Sequence, residues 1–139
     1  MKIEINKLTS EKIGVNFLKK VAERTAKLVK LKFPELSVAI VCDARMKTLN
    51  KKYRNKNRVT DVLAFDYGLP FNGQGEIVIC LSQAKRQAKK LKHSLKQELA
   101  TLLIHGILHL VGYGDENKRN FNIMHKKQNK ILKEVYGKN

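Results

Sequence analysis

Four short segments of the chain have the hydrophobic pattern of β-strands. Residues 1–6 alternate apolar and polar side chains, and residues 36–42 are rich in β-branched and apolar positions. Residues 61–66 and 75–81 resemble them, and a segment containing glycine and proline separates these two. Because side chains alternate between the faces of a strand, and buried strands favour β-branched residues, we predict four strands here.

Elsewhere, apolar residues recur at the three- and four-residue spacing of an α-helix. Residues 11–31 show this spacing, and Phe33-Pro34 ends it. Residues 44–54 and 116–136 show the same spacing. The positions predicted to face inward are Val15, Leu18, Val21, Ala22, Thr25 and Leu28 in the first helix, Met46, Leu49 and Tyr53 in the second, and Phe121, Met124, Ile131 and Val135 in the last.

Two serines predict the starts of two further helices. A serine hydroxyl can accept a hydrogen bond from the free N–H groups of a first helical turn, so Ser82 is predicted to cap a helix that ends near His93. Ser94 has Gln97 three residues later, at the capping-box position, and is predicted to cap the next helix.

This order of elements predicts an α+β fold in one domain that spans residues 1–139. We expect a mixed sheet of about four strands packed with helices, because strands and crossover helices are followed by consecutive helices. The length is sufficient for a hydrophobic core, and the chain has no internal repeat or low-complexity segment.

The composition adds a strong positive charge to this fold. Lys and Arg total 29 against 12 Asp and Glu, so the formal net charge is +17 and the pI is about 10.0. This excess favours a polyanionic partner, either nucleic acid or acidic phospholipid, unless lysine here only solvates the surface. No segment resembles a membrane anchor or a signal peptide, so we expect a cytoplasmic protein without membrane association.

The two cysteines each end an apolar strand segment. Cys42 follows Val38-Ala-Ile-Val, and Cys80 follows Glu76-Ile-Val-Ile. Neither belongs to a Cys-x-x-Cys pair, so we predict reduced thiols buried in the core rather than a disulfide or zinc ligands.

The strongest chemical signal lies between residues 105 and 115. His105 and His109 stand four residues apart in an apolar segment, a spacing that places both imidazoles on one helix face. Gly112 and Gly114 predict the helix end, and the following turn can return Asp115 towards the rings. Two imidazoles and a carboxylate with an open fourth position are typical of a catalytic zinc site.

Other interpretations of these residues remain at this stage. Single histidines in helices usually only pack or form hydrogen bonds, and Asp115 could be a solvated turn residue or a helix N-cap. Two histidines and a carboxylate also bind Fe(II) in oxygenases. A zinc peptidase is disfavoured, because its His-Glu-x-x-His motif needs a glutamate as general base where this chain has Gly106.

The same segment resembles the signature of the YbeY endoribonucleases, His-Gly-x-Leu-His-Leu-x-Gly-Tyr-Asp-His. Two further segments are similar to family motifs: Tyr53-Arg54 followed by Thr60-Asp-Val-Leu-Ala-Phe65, and Gly75-Glu-Ile-Val-Ile79. Met124 also matches a methionine that follows the signature. The matching signature positions are His105, Gly106, Leu108, His109, Leu110, Gly112 and Tyr113.

The chain departs from the family pattern beside the predicted metal site. Gly114 stands where the family has aspartate, and Asp115 where it has a third histidine ligand. Ala64 and Asp66 replace a serine and a proline of the second motif. The resemblance spans about residues 36 to 130 and implies the same α+β fold, with the motif helix central.

The resemblance implies a metal-dependent, single-strand-specific endoribonuclease that acts in ribosomal RNA maturation and ribosome quality control. Its implied partners are single-stranded and ribosomal RNA, and the ribosome or ribosomal proteins. We expect one zinc ion on His105, His109 and Asp115, although another divalent metal could bind. The alternative is a non-catalytic RNA- or ribosome-binding protein with a degenerate or structural metal site, which the substitution at Asp115 keeps open.

Arg54 is the first candidate beyond the ligands, since a guanidinium binds phosphate in a bidentate manner and can stabilise developing charge. It matches the arginine of the family motif. With His105 and His109 it forms the predicted catalytic set. Basic residues nearby and on a second stretch could follow an RNA backbone. The predicted RNA-binding residues are Lys51, Lys52, Lys56, Arg58, Lys85, Arg86 and Lys89.

The remaining polar and aromatic candidates are weaker. Tyr53, Tyr67 and Phe71 could stack on bases, although core packing is the preferred interpretation for Tyr53 and Phe71. Glu98 shares the histidine face but lies roughly 10 Å along the helix axis, too far to bind the same metal. It could position a neighbour or form a surface ion pair, and Asp61 could support the site or cap a turn. His93 and His125 are interpreted as surface residues, and Met124 as packed beneath the site.

Overall fold

The computed structural model describes residues 1–67 and 73–136, and within them it has the predicted α+β architecture. In chain order the elements are β1 (Lys2–Lys7), α1 (Val15–Leu28), β2 (Glu35–Val41), α2 (Asp43–Arg54), β3 (Val62–Tyr67), β4 (Gln74–Cys80), α3 (Leu81–Leu91), α4 (Leu95–Val111) and α5 (Lys118–Val135).

The strands form one mixed sheet in the order β1-β2-β4-β3, which confirms the predicted four-stranded sheet. β1 pairs parallel with β2, and β2 pairs parallel with β4. β3 is antiparallel to β4 at the edge, with Ala64 opposite Ile77. The parallel pairs require crossover connections, and α1 supplies the one between β1 and β2.

The two faces of the sheet cover two unequal apolar clusters. The larger cluster joins β2 and β4 to α1 and α4, and it includes Leu36, Ile77, Leu18 and Ile107. The smaller cluster lies under α2 and is built from Val41, Met46, Leu63, Val78 and Cys80. This division follows the strand alternation, since successive side chains point to opposite faces.

Helix α4 is the central helix, in contact with α1, α3, α5, β3 and β4. Ser94 caps it as predicted, because the Ser94 hydroxyl accepts a hydrogen bond from the Gln97 N–H at 3.0 Å. Gly106 lies against β4: a Cβ atom there would stand 2.9 Å from Ile77 Cγ2. The absence of a side chain at 106 therefore lets the helix approach the sheet.

The structure corrects two predictions about helix starts and cysteines. α3 begins at Leu81 with Cys80 at its N-cap, and Ser82 lies inside the first turn, so the predicted Ser82 cap is wrong. Cys42 is exposed, because it follows the last residue of β2 and occupies the N-cap of α2 at the surface. Cys80 is buried as predicted, and burial raises the pKa of its thiol to about 11.

Three apolar residues predicted to face inward are exposed instead. Leu28 is 46% exposed at the last turn of α1, which is shorter than predicted, and Phe121 is 47% exposed at the first turn of α5. Tyr53 is half exposed near the end of α2. All three lie where a helix extends past the core, whereas Met124 and Ile131 in the middle of α5 are buried as predicted.

No helix in the described ranges is both long enough and apolar enough to span a membrane.

We predict that Gly106→Ala lowers the free energy of unfolding by about 1–2 kcal/mol. Overpacking costs about 1–3 kcal/mol, and better helix propensity offsets up to about 1 kcal/mol of this. Urea unfolding of Gly106→Ala, Ile77→Ala and the double variant measures the effect. The double variant should lose less stability than the sum of the two single changes, because the smaller side chain at 77 makes room for the methyl group. A Gly106→Ala protein as stable as the wild type would contradict this packing.

Candidate metal centre and its cleft

The last turns of α4 bring two histidine rings together. His105 Nε2 lies 3.0 Å from His109 Nε2. The side chains are 24% and 31% exposed, so both rings are part-buried but remain open to one side. This is the geometry predicted from the four-residue spacing, because α4 remains helical through both positions.

Each ring is held by a hydrogen bond at its other nitrogen. His109 Nδ1 donates to the Tyr113 backbone carbonyl at 3.1 Å, and His105 Nδ1 donates to Gln128 Oε1 at 2.7 Å. A carbonyl oxygen can only accept, so these partners assign the hydrogen of each ring to Nδ1. The two Nε2 atoms therefore present lone pairs to each other.

Facing lone pairs at this distance fit a shared cation. Without one they repel, whereas zinc–nitrogen bonds of about 2.0–2.1 Å in tetrahedral geometry place two nitrogen ligands roughly 3.3 Å apart. Hydrogen bonds at the outer nitrogen are also the usual support for metal-bound histidines. The residues present thus fit a divalent metal of the zinc type.

A carboxylate completes this group. Asp115 Oδ2 lies 4.0 Å from His105 Nε2 and 3.8 Å from His109 Nε2, and one donor atom from each of the three residues lies within 4.8 Å of the others. Gly112 ends α4 in the left-handed conformation, with φ of 112°, and this turn directs the chain back towards the rings. Asp115 is 47% exposed and does not cap α5, whose N-cap is Asn117.

The electrostatic environment keeps one of the rings neutral. Burial lowers the pKa of His109 below its ordinary value of 6.5, and the nearby His105 and Arg54 act in the same direction. Asp115 opposes this shift. A neutral imidazole is the form that binds metal, so at neutral pH no proton has to leave His109 before a metal binds.

The three residues open into a cleft of about 510 Å³, which we call the metal cleft. It is lined by Tyr53 and Arg54 from the end of α2, by Asp61 and part of β3, and by Gly106. α2 ends here because Asn55 adopts the left-handed conformation, with φ of 56°. Asp61 Oδ1 accepts a hydrogen bond from the Val62 N–H at 2.8 Å, so this carboxylate is fixed at the start of β3.

Comparison with known proteins agrees with this architecture. The sequence model described as Endoribonuclease YbeY matches residues 2–136. The chain belongs to the YbeY family of endoribonucleases. It is 41% identical over 121 residues to endoribonuclease YbeY of Aquifex aeolicus, covering 81% of each chain. It is 36% identical over 137 residues to that of a Sulfurihydrogenibium species, covering 94% of this chain and 90% of the relative.

A solved structure shows the same fold. The solution structure of TM1509 from Thermotoga maritima is similar with a TM-score of 0.67 and 31% identity, covering 99% of this chain and 90% of that one.

The two predicted basic stretches differ in how many of their cations are paired. Arg86 donates two hydrogen bonds to Asp43, at 3.1 and 2.9 Å, and this contact lowers the pKa of Asp43. Lys85 pairs with Glu11, whereas Lys89 is exposed and has no carboxylate partner among the described residues. The other stretch surrounds Arg54 in the sequence. Its members Lys51, Lys52, Lys56 and Arg58 are exposed, with no carboxylate partner within residues 1–67 and 73–136.

Of the aromatic candidates, Tyr53 lines the metal cleft, and Phe65 and Tyr67 continue a row of rings from it. Tyr53 contacts Phe65 edge to face with ring centroids 5.1 Å apart, and Phe65 stacks on Tyr67 at 6.1 Å. Phe65 was not among the predicted stacking residues, although it belongs to the second family motif. Phe71 lies outside the described residues.

A second polar network on α4 was not predicted. Glu98 is 3% exposed and accepts a hydrogen bond from Gln87 Nε2 at 2.7 Å. His93 Nε2 lies 2.6 Å from the other oxygen of Glu98, so the prediction of His93 as an unpartnered surface residue is wrong. Glu98 therefore holds two side chains in place, Gln87 on α3 and His93 in the turn after α3. Of the two roles left open for it, the surface ion pair is excluded by burial.

We predict that Asp115→Ala weakens zinc binding at least about tenfold. Loss of a residue that only hydrogen-bonds to a metal ligand already weakens metal binding by about 10- to 100-fold, and loss of a ligand should cost no less. Asp115→His should bind zinc more tightly than the wild type, because imidazole is a softer ligand than carboxylate. Competition with a chromophoric chelator measures both. Glu116→Ala, which removes the next acid on the same turn, is the matched control. Equal affinities for Asp115→Ala and Glu116→Ala would place Asp115 outside the ligand set.

Proposed function

We propose that this protein is a single-metal endoribonuclease that cuts single-stranded segments of ribosomal RNA during their maturation in the cytoplasm, with zinc on His105, His109 and Asp115. Endoribonuclease activity follows from the family. The observation that supports this metal site is the pair of Nε2 lone pairs 3.0 Å apart, beside a carboxylate, on the wall of a cleft that also contains Arg54.

The donor set favours one ion of the zinc type. Zinc accepts two imidazoles and one carboxylate and leaves a position open for catalysis. Nucleases with two metal ions hold them with several acids, whereas among the described residues Asp61 and Asp115 are the two acids that line the metal cleft. Fe(II) binds a similar set, and element analysis of protein purified without a chelator or an affinity tag separates the two.

Once bound, zinc would lower the pKa of a coordinated water to about 7 and polarise the phosphodiester. The protein would supply the remaining parts. His105 and His109 keep their Nε2 atoms aimed into the cleft, because Gln128 and Tyr113 hold the opposite nitrogens. Gly106 stands where a zinc peptidase has its glutamate, so the general base of that class is missing.

Arg54 is the residue that we assign to the phosphate. It lines the metal cleft at the last residue of α2 and is close enough to His109 to lower the pKa of that ring. Unlike Arg86, it has no carboxylate partner among the described residues, so its guanidinium is available to a substrate anion. A guanidinium can bind two phosphate oxygens and stabilise charge that develops there.

The exposed lysines beside Arg54 support an RNA backbone that enters the cleft across the end of α2. A flexible single strand can bend its phosphodiester into such a cleft, whereas a duplex is stiff. The ribosome or ribosomal proteins would be partners through the same substrate. A non-catalytic RNA-binding protein is the competing function, and the absence of metal-dependent cleavage would favour it.

We predict that His109→Ala abolishes cleavage of single-stranded RNA and that Arg54→Ala slows it about 100- to 1000-fold, since one charge-stabilising donor is typically worth about 2.7–4 kcal/mol. Arg54→Ala should retain its metal, because Arg54 is not a ligand. Arg45→Ala changes another exposed arginine of α2 outside the metal cleft and should cut at the wild-type rate. Timed digestion of a labelled RNA, with and without chelator, measures these rates.

Identically purified proteins provide the control for contamination. Equal residual cleavage in the wild type, His109→Ala and Arg54→Ala would indicate another nuclease in the preparations and would make the non-catalytic function the better one.

We predict that replacing Lys51, Lys52, Lys56 and Arg58 with glutamine flattens the salt dependence of RNA binding. For single strands each lost phosphate contact reduces the slope of log affinity against log salt by about 0.7. The matched set is Lys85, Arg86 and Lys89 changed to glutamine, which should alter the slope less because two of these cations are already paired. Binding titrations over a range of salt concentrations measure the slopes. A larger effect of the second set would move the RNA path to α3.

A further inference from the structure

A second cleft, of about 410 Å³, opens on the other side of His105. It lies between α3, α4 and α5 and shares His105 and Asp61 with the metal cleft, so a molecule in one cleft is next to a molecule in the other. We propose that this second cleft binds one unpaired nucleobase of the RNA whose phosphate lies at the metal centre. The inference rests on the proposed function and adds a base-binding site to it.

The charge of the second cleft distinguishes it from a phosphate site. No lysine or arginine of the described residues lines it, although the protein has 29 of them. Its carboxylates are Asp61 and Glu98, and Glu98 is already paired with His93 and Gln87. A phosphate would find no cation here, whereas a neutral nucleobase needs none.

One wall offers flat, exposed apolar surface. Phe121 is 47% exposed, and its ring is parallel to that of His125, with centroids 5.5 Å apart and an angle of 11°. Leu91, at the end of α3, is 60% exposed and also lines the cleft. Exposed rings of this kind are the surfaces on which proteins stack unpaired bases.

Two side-chain amides supply polar contacts at the same place. Gln97 on α4 and Asn129 on α5 both line the cleft, and their amide groups have no hydrogen-bond partner within the described residues. The other amides are occupied, since Gln87 donates to Glu98 and Gln128 accepts from His105. A carboxamide carries both donors and an acceptor, which is the set required to pair with a base edge.

These features together specify the ligand. A stacking ring, two unpaired amides and a lack of cations suit a planar, neutral, hydrogen-bonding group, and the shared walls connect that group to the metal cleft. An apolar segment of a partner protein would use Phe121 and Leu91 but would leave the amides and the adjacency to His105 without a role.

The test compares wild type and variants on abasic RNAs. The substrate is a short single-stranded RNA of mixed sequence that the protein cleaves at one bond, so that its register is known, and each nucleotide near that bond is made abasic in turn. We expect one abasic position to weaken binding by wild type about fivefold or more, since stacking of one base is worth about 1–3 kcal/mol. Binding is measured with chelator present so that cleavage is blocked, and gel analysis confirms that the RNA is intact at the end of each measurement.

The decisive result is whether the effect of removing that base depends on the residues that line the second cleft. Phe121→Ala should weaken binding of the complete RNA by most of that factor, and removal of that base should then weaken binding by Phe121→Ala much less than it weakens binding by the wild type. Asn129→Ala should show the same coupling to a smaller degree and gives the answer if Phe121→Ala unfolds. Ile123→Ala and Asn122→Ala change an exposed apolar residue and an exposed amide of α5 outside the cleft, and both should behave as wild type.

Several results would overturn the inference. If Phe121→Ala and Asn129→Ala bind the whole abasic series as the wild type does, no base occupies the cleft. If these variants bind RNA normally but lose association with ribosomes, the cleft serves a protein partner instead. If the wild type neither binds nor cleaves the RNA, the proposed function itself fails, which is a separate outcome from loss of coupling alone.

Discussion

The close contact between α4 and the sheet at Gly106 is the constraint on which the site depends. A Cβ atom at this position would stand 2.9 Å from Ile77, so the backbone of α4 can lie where it does only without a side chain there. His105 and His109 flank this contact along the helix. The close packing of α4 on the sheet buries the apolar side of the helix. It therefore also fixes how far the two histidine rings lie from β3 and from Arg54 at the end of α2.

α4 is largely apolar, and its buried glutamate and its two histidines each have specific partners. Glu98 finds Gln87 and His93, His105 finds Gln128, and His109 finds the Tyr113 carbonyl. Unpaired polar groups in a buried helix cost free energy, so each pair favours one arrangement of the neighbouring element over others. The hydrogen bonds that satisfy the core thus also orient α3 and α5 around the clefts.

The parts of this structure that depend on local sequence could be predicted, and those that depend on packing could not. Four-residue spacing places His105 beside His109, and Ser94 caps its helix, because both are decided within one turn. Gln128 is 23 residues from His105 and meets it only because α5 packs on α4. Nothing in the sequence around Glu98 indicates that it is buried. The prediction of Cys42 as a core residue is wrong because the hydrophobic pattern does not show at which residue a strand ends.

The facing Nε2 atoms have a further consequence for the thermodynamics of the whole domain. Folding brings the two Nε2 atoms to 3.0 Å, an arrangement that the unfolded chain does not hold, so the site exists only in the native state. A cation that bound there would bind the native state selectively and would shift the equilibrium towards that state in proportion to the logarithm of the free ion concentration. The abundance of folded protein in a cell would then vary with the supply of that metal, even for copies that never meet a substrate.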